Sequence, residues 1–259
     1  MAEAVVIGGS SGIGKTAVKA LCAAGYNVTN ISRTACEADG VNNIEADVSK
    51  EGELENALLS LPVPDVAVYS AGFSLAAPTE YVLQEDFRYL FEVNFFGFVR
   101  TVRSLVTGMR NNGGGRIIAV SSLGSVIPII FDSFYSASKA ALDMFIRGAN
   151  VEMNPYNIYL TSVRPGATQT RFTFKRKVYP EEDVGVYGDK LHKATVTLAD
   201  MEQRGMDPSD VADCIMKVIA AKKPPMSRNV GFTNKSLSLA EKLLPEAFTD
   251  FLNKNLYLQ

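Results

Sequence analysis

Tyr135 and Lys139 stand four residues apart, and Ser122 lies thirteen residues before the tyrosine. On a helix, positions i and i+4 share a face, so the phenol and the ammonium project the same way. A tyrosine of ordinary pKa, near ~10, is a poor proton donor or acceptor at neutral pH. A neighbouring cation favours phenolate and lowers that value. A Tyr–Lys pair on one helix face is therefore a candidate general acid/base. A hydroxyl such as Ser122 can hold a carbonyl oxygen against it. Taken alone, Y-x-x-x-K is a common spacing, and most such pairs are ordinary surface or half-buried residues, so the weight falls on its surroundings.

The second chemical feature is a glycine turn. Gly9-Ser10-Ser11-Gly12-Ile13-Gly14-Lys15-Thr16 satisfies G-x-x-x-x-G-K-[ST], and Gly8, Gly12 and Gly14 also form the G-x-x-x-G-x-G of a dinucleotide turn. Both patterns follow a strand and place phosphate at a helix N-terminus. A triphosphatase further needs an acidic residue after another apolar strand to hold magnesium. The candidate strands here end in Tyr69-Ser70 and Ser121-Ser122. The dinucleotide reading is preferred, with Ser10, Ser11 and Ile13 joining the glycines as cofactor contacts; a glycine turn without ligand is the bland alternative. The second strand ends in Ile31-Ser32-Arg33, with no carboxylate for a ribose 2′-hydroxyl. Arginine pairs with a 2′-phosphate, which a carboxylate would repel. Ser32 and Arg33 thus favour NADP over NAD; the competing reading of Arg33 is a solvated surface charge.

The elements that must carry these residues alternate along the chain. Strands are predicted at Ala4–Ile7, Asn27–Ile31, Asn43–Ala46, Asp65–Tyr69, Gly115–Ser121 and Asn157–Val163, with a seventh at Asn229–Phe232. Helices are predicted at Gly14–Ala24, Glu51–Leu61, Gln84–Arg110 (broken near Phe95–Gly97) and Tyr135–Met153. Another starts at Asp207-Pro208, with Asp207 as cap and Pro208 in the first position. The strand runs are rich in Val, Ile and Ala without polar alternation, as for strands buried on both faces. The alternating order predicts an α/β fold: a Rossmann-like, doubly wound parallel sheet of about seven strands with helices on both faces.

Composition narrows the function. The 259 residues are 47% hydrophobic and 21% charged, enough for one α/β domain with a full core, and the net charge of −2 makes no case for nucleic acid or anionic membrane. Cys22, Cys36 and Cys214 show no C-x-x-C spacing and read as reduced thiols of a cytoplasmic protein. His192 is the single histidine, so a histidine triad or multi-histidine metal site lacks raw material and no metal is expected. No apolar run approaches ~18 residues, so no integral membrane span is expected.

Together these residues resemble the short-chain dehydrogenase/reductase family. The turn at Gly8, Gly12 and Gly14 matches its cofactor motif. Asp47-Val48 resembles its adenine-contacting pair, and Ala71-Gly72 the end of its N-N-A-G motif. Asn94 resembles its catalytic asparagine, and Ser122, Tyr135 and Lys139 its serine, tyrosine and lysine. Pro165-Gly166-Ala167-Thr168-Gln169-Thr170 resembles its P-G-x-x-x-T segment on the nicotinamide side. The resemblance implies that Tyr135 exchanges a proton with the substrate oxygen and that Lys139 lowers its pKa and bonds the nicotinamide ribose. Ser122 would orient the carbonyl, and Asn94 would hold a water in a proton relay. One departure is that Tyr69-Ser70 stands where the family has two asparagines, and Ser70 supplies only part of an amide's donor set.

The resulting expectation is an NADP(H)-dependent oxidoreductase interconverting a ketone and a secondary alcohol, on an apolar steroid- or lipid-like substrate. The alternative is a non-catalytic dinucleotide-binding redox sensor or scaffold. The partners expected are a small carbonyl or alcohol substrate and further copies of the chain, as a homodimer or homotetramer. The whole chain, 1–259, is read as one domain with a substrate lid at about 167–206 that lacks a core-facing period. Phe131, Phe134, Phe172 and Phe174 are candidates for an apolar pocket wall. His192 reads as a surface residue. Leu237–Leu252 carries a near-helical apolar pattern broken by Pro245, read as packing on the body, a partner subunit or the substrate mouth, with a membrane-surface helix as the competing reading, and the last five residues are assigned no function.

Overall fold

The computed structural model describes residues 1–231 together with Lys254, Asn255 and Tyr257. Strand β1 (Glu3–Ile7) leads through helix α1 (Gly12–Ala23) to β2 (Asn27–Ser32) and β3 (Val41–Glu45). Helix α2 (Glu53–Leu59) then precedes β4 (Val66–Tyr69) and a two-residue strand, β5 (Leu75–Ala76). Helix α3 (Gln84–Phe91) passes through a π-helical stretch, Glu92–Phe96, into α4 (Gly97–Asn111) and β6 (Gly115–Val120). Helix α5 (Ser133–Met153) and β7 (Ile158–Arg164) follow. Then come α6 (Phe172–Lys175), β8 (Lys177–Val178), α7 (Gly188–Gln203), α8 (Pro208–Ala220) and β9 (Ser227–Asn229).

The main sheet has seven strands in the order β3-β2-β1-β4-β6-β7-β9, and every pair is parallel. Successive strand residues face opposite sides, and both sides are buried. Val5, Ile7, Ala67, Ile117, Ala119 and Leu160 join one core with residues of α2, α4 and α5. Ala4, Val6, Val68, Ile118 and Val163 join a second core with α1 and α8. This double burial is why the strands read as unbroken apolar runs.

Strand order reverses between β1 and β4, where Ile7 sits level with both Ile31 and Tyr69. At such a point the carboxyl ends of neighbouring strands part and leave a crevice. The two loops that leave it must pass closely. Gly8 has φ +85°, and a Cβ there would lie 2.6 Å from the Ala71 amide nitrogen.

Element limits shift by a few residues from those predicted, and two differences matter. The last strand falls at Ser227–Asn229, ahead of Asn229–Phe232, and Phe232 lies outside the described residues. The segment after β7 is more regular than predicted: it contains α7, which buries Leu191, Ala194, Leu198 and Glu202. Those positions keep a helical period, but one of the four is a glutamate, which hides the stripe from a reading of apolar residues. The Asp207 cap is as predicted, its carboxylate accepting the Ser209 amide at 2.7 Å. The Leu237–Leu252 segment lies outside the described residues.

Candidate active site

A pocket of about 1060 Å³ runs along the carboxyl ends of the strands. One end is the glycine turn. Ser10, Ser11, Gly12 and Ile13 line it, and Gly12, with φ +53°, faces Thr170, whose Cβ would lie 3.3 Å from an added side chain. Ser11 caps α1 without a side-chain hydrogen bond, and the first turn carries no acidic residue. The amides and positive dipole end of α1 therefore remain open to an anionic group. Gly14 differs from its predicted role as a contact. It faces inward, and a Cβ there would lie 2.2 Å from the Gly8 carbonyl oxygen. It allows helix and turn to pack, and so shapes the cradle without lining it.

The residues of the triphosphatase pattern are placed differently. Thr16 donates to the Gly12 carbonyl at 3.1 Å, and Lys15 turns toward Glu37 at 4.0 Å. Neither lines the main pocket. The geometry supports the dinucleotide reading of the turn.

Ser32, Arg33, Asp47 and Val48 line the next part of the wall. Arg33 is exposed and reaches the Tyr89 hydroxyl at 3.5 Å. Burial opposes ionisation of Asp47, but hydrogen bonds from Ser49 and the charges of Arg33 and Lys50 outweigh it and hold the carboxyl below its ordinary value. Buried Asn30 was not singled out in the sequence, yet it ties this wall to the turn. Its Oδ1 accepts the Gly9 amide at 2.9 Å, and its Nδ2 donates to Ser32 Oγ at 2.9 Å.

The candidate catalytic residues lie between β4, β6 and α5. Ala71 and Gly72 follow β4, Ser122 follows β6, and Tyr135 and Lys139 project from the first turns of α5. Lys139 Nζ donates to the Val120 carbonyl at 3.0 Å and lies 5.7 Å from the Tyr135 ring centre. Burial holds the ammonium down, to a pKa of about 8, with Asp143 opposing. Burial also pushes the Tyr135 phenol above its ordinary value, against the lowering hydrogen bond of Ser122. The net shift of the tyrosine is thus upward, opposite to the lowering the Tyr–Lys spacing suggests, because both groups are buried. A phenol held protonated is suited to donate to an oxygen.

Asn94 is fully buried behind Gly72, in the π-helical stretch. Its Oδ1 accepts the Phe73 amide at 3.0 Å, and its Nδ2 donates to the Phe73 carbonyl at 2.9 Å and to Ser138 Oγ at 3.1 Å. A Cβ on Gly72 would lie 3.1 Å from Asn94 Oδ1 and 3.4 Å from Lys139 Nζ, so the glycine lets these groups converge. On the opposite wall, Pro165, Gly166, Thr168 and Thr170 line the pocket after β7.

The far end of the pocket contains residues that sequence reasoning missed. Ile127, Pro128, Ile129, Leu198 and Met201 make an apolar wall. Phe172 is part of it, 5.9 Å from Tyr135. The other aromatic candidates are placed elsewhere. Phe134 stacks on Phe87, Phe131 packs on Tyr187, and Phe174 is exposed at an outer cleft. Beside the apolar wall runs a buried polar chain. Asp132 accepts from Ser74 and from the Leu75 amide, Arg176 donates to Ser74 at 3.0 Å and to Glu202 at 2.5 Å, and Glu202 accepts from Thr173. Burial pushes the Asp132 carboxyl up to about 6. Tyr257, to which the sequence assigned nothing, is buried at this end. These residues come from five separate segments, and no local spacing marks them.

A family profile described as short chain dehydrogenase matches residues 2–179. The chain belongs to the short-chain dehydrogenase/reductase family. Members of this oxidoreductase family bind a nicotinamide dinucleotide. The 3-ketodihydrosphingosine reductase of Bacteroides thetaiotaomicron is 29% identical over 88% of this chain and 87% of its own length. A 3-dehydrosphinganine reductase of Danio rerio is 34% identical over 70% of this chain and 61% of its own. A short-chain dehydrogenase from Streptomyces avermitilis superposes with a TM-score of 0.83 at 27% identity, covering 98% of this chain and 96% of that one. The short-chain dehydrogenase/reductase fold explains the sheet order and the crevice at its switch point.

Proposed function

We propose that this short-chain dehydrogenase/reductase interconverts a ketone and a secondary alcohol with NADP(H), on an apolar steroid- or lipid-like substrate. The observation that carries the reading is convergence. Ser122, Tyr135 and Lys139 face one pocket that also contains the open N-terminus of α1.

A bound nicotinamide dinucleotide supplies hydride to the carbonyl carbon, or accepts it in the reverse direction. The glycine turn and α1 would hold its diphosphate, Asp47 and Val48 would lie at its adenine, and Pro165, Gly166, Thr168 and Thr170 would contact its nicotinamide side. Ser122 orients the substrate carbonyl. Tyr135 gives its phenolic proton to the oxygen as the alcohol forms, and Lys139, buried alongside, binds the ribose and relays the replacement proton past Asn94. Arg33 pairs with the 2′-phosphate, which selects NADP(H). The apolar wall around Ile129, Phe172 and Leu198 suits a bulky hydrophobic ketone, each buried methylene contributing about 0.8 kcal/mol. The names of the two sphingoid-ketone reductases agree with that class.

Three thiols fit a cytoplasmic protein. No helix among the described residues is long and apolar enough to cross a membrane. The reading includes a homodimer or homotetramer, with Met144 and Val151, both exposed on α5, as the candidate contacts.

The test is a turnover screen of steroid, long-chain and small polar ketones with NADPH and NADH. The reading expects carbonyl-dependent loss of NADPH absorbance with the bulky ketones. Tight cofactor binding with no turnover of any carbonyl would instead support the sensor or scaffold reading.

A further inference from the structure

Tyr69 ends β4 where the family has an asparagine, and it does not line the pocket. Its side chain points the other way, into the core against Phe98, with ring centres 5.8 Å apart. There its phenol donates to the Val93 carbonyl at 2.5 Å.

That carbonyl lies in the π-helical stretch Glu92–Phe96. In an α-helix, the Gly97 amide would bond to Val93; here it bonds to Glu92, one residue further back. The π turn thus withdraws from Val93 its ordinary helical donor, and the Tyr69 hydroxyl takes that donor's place. The fit depends on residue 97 being glycine: a Cβ there would lie 2.1 Å from the Tyr69 hydroxyl oxygen and 3.1 Å from Cζ. The next residue after Val93 is Asn94, which makes its three hydrogen bonds to Phe73 and Ser138 from within this same π-helical stretch. Tyr69 is almost wholly buried, and burial raises its pKa, so it stays a donor.

We propose that Tyr69 and Gly97 form a clamp that holds the π turn open and thereby positions Asn94 beside Lys139. Tyr69 is a positioning residue; its hydroxyl touches neither pocket nor cofactor site. The catalytic consequence rests on the proposed role of Asn94 in the proton relay. The structural consequence does not.

The decisive variants are Tyr69→Phe, which removes only the hydroxyl, and Gly97→Ala, which displaces it. Hydrogen exchange of the 92–98 amides in the folded protein reads the clamp directly. Loss of one hydrogen bond should speed that exchange about tenfold, with exchange in β1 and α8 unchanged. With a ketone that the wild type reduces, kcat should fall about tenfold while the dissociation constant for NADPH stays within about twofold. The pH dependence of kcat should shift toward that of Asn94→Ala. Tyr69→Phe combined with Asn94→Ala should lose no more activity than Asn94→Ala alone. Unchanged 92–98 exchange in folded Tyr69→Phe overturns the clamp. Faster exchange with fully additive kinetic losses overturns its action through Asn94. If the wild type reduces no carbonyl, the reductase reading falls, and the exchange result still decides the clamp.

Discussion

Tyr135→Phe keeps the ring that packs against Phe172 and removes the exchangeable proton. Turnover of a verified ketone should fall by at least ~10²-fold, the lower end for general acid/base catalysis, while NADPH binding persists. Near-wild-type turnover would contradict the role given to this phenol. Arg33 makes a separate claim. It is exposed at the strand end beside Ser32, with the Tyr89 hydroxyl at 3.5 Å and the Asp47 carboxylate near enough to feel its charge, so it can turn to a phosphate without breaking a buried pair. A charge-assisted hydrogen bond contributes roughly 1.5–3 kcal/mol, about ten- to over a hundredfold in affinity. Calorimetry should therefore show NADPH binding more tightly than NADH by that factor. Arg33→Ala should erase most of the difference, and equal affinities in the unmutated protein would refute it.

Between elements, the Asp132 carboxylate ties the start of α5 to the loop after β4, through Ser74 and the Leu75 amide. Its pKa is raised from 3.8 to about 6 in the fold, first by burial. Between those values the folded protein holds a proton that the unfolded chain has released, so this group's contribution to stability declines as pH rises from about 4 to about 6. Asp47, Asp86 and Asp207 are shifted downward and act in the opposite sense at lower pH. Their effect is common to wild type and Asp132→Asn and cancels in the difference. Denaturant midpoints at steps from pH 4 to 7 should show the variant gaining stability relative to wild type as pH rises through this window. A pH-independent difference would mean that Asp132 keeps an ordinary pKa. In the same chain, Arg176→Ala leaves Glu202 buried with a hydroxyl partner only. Breaking one side of a buried pair costs about 3–5 kcal/mol, read as a lower denaturation midpoint; a change below about 1 kcal/mol would show that the pair is solvated in solution.

At the scale of the molecule, α6, β8 and α7 reach over the carboxyl ends of the sheet. Lys175 on α6 touches Ser11 of the glycine turn at 3.0 Å, and β8 pairs with β5 beside the pocket. Hydrogen exchange across residues 167–206 should slow when NADPH and then substrate are added, as for a lid that completes its site on binding. Equal protection in both states would make it fixed scaffold. How much of this could be read beforehand follows from where each constraint resides. The glycine turn, the Ser122–Tyr135–Lys139 spacing and the alternation of apolar runs with helical stripes are local. Backbone sterics, helix periodicity and two-sided burial act within a few residues, so the sequence by itself determined the fold class and marked the groups proposed to react. Even the break in the helix before α4 was legible at Phe95–Gly97, though its π geometry was not. Asp132, Ser74, Arg176 and Glu202 come together only because α7 lies across the loop after β4, and Tyr257 reaches the same place from the far end of the chain. Only the tertiary structure decided these contacts, and it decided the titration of Tyr135 as well. Spacing records which cation is near a phenol; burial, the larger influence here, depends on every segment that closes around it.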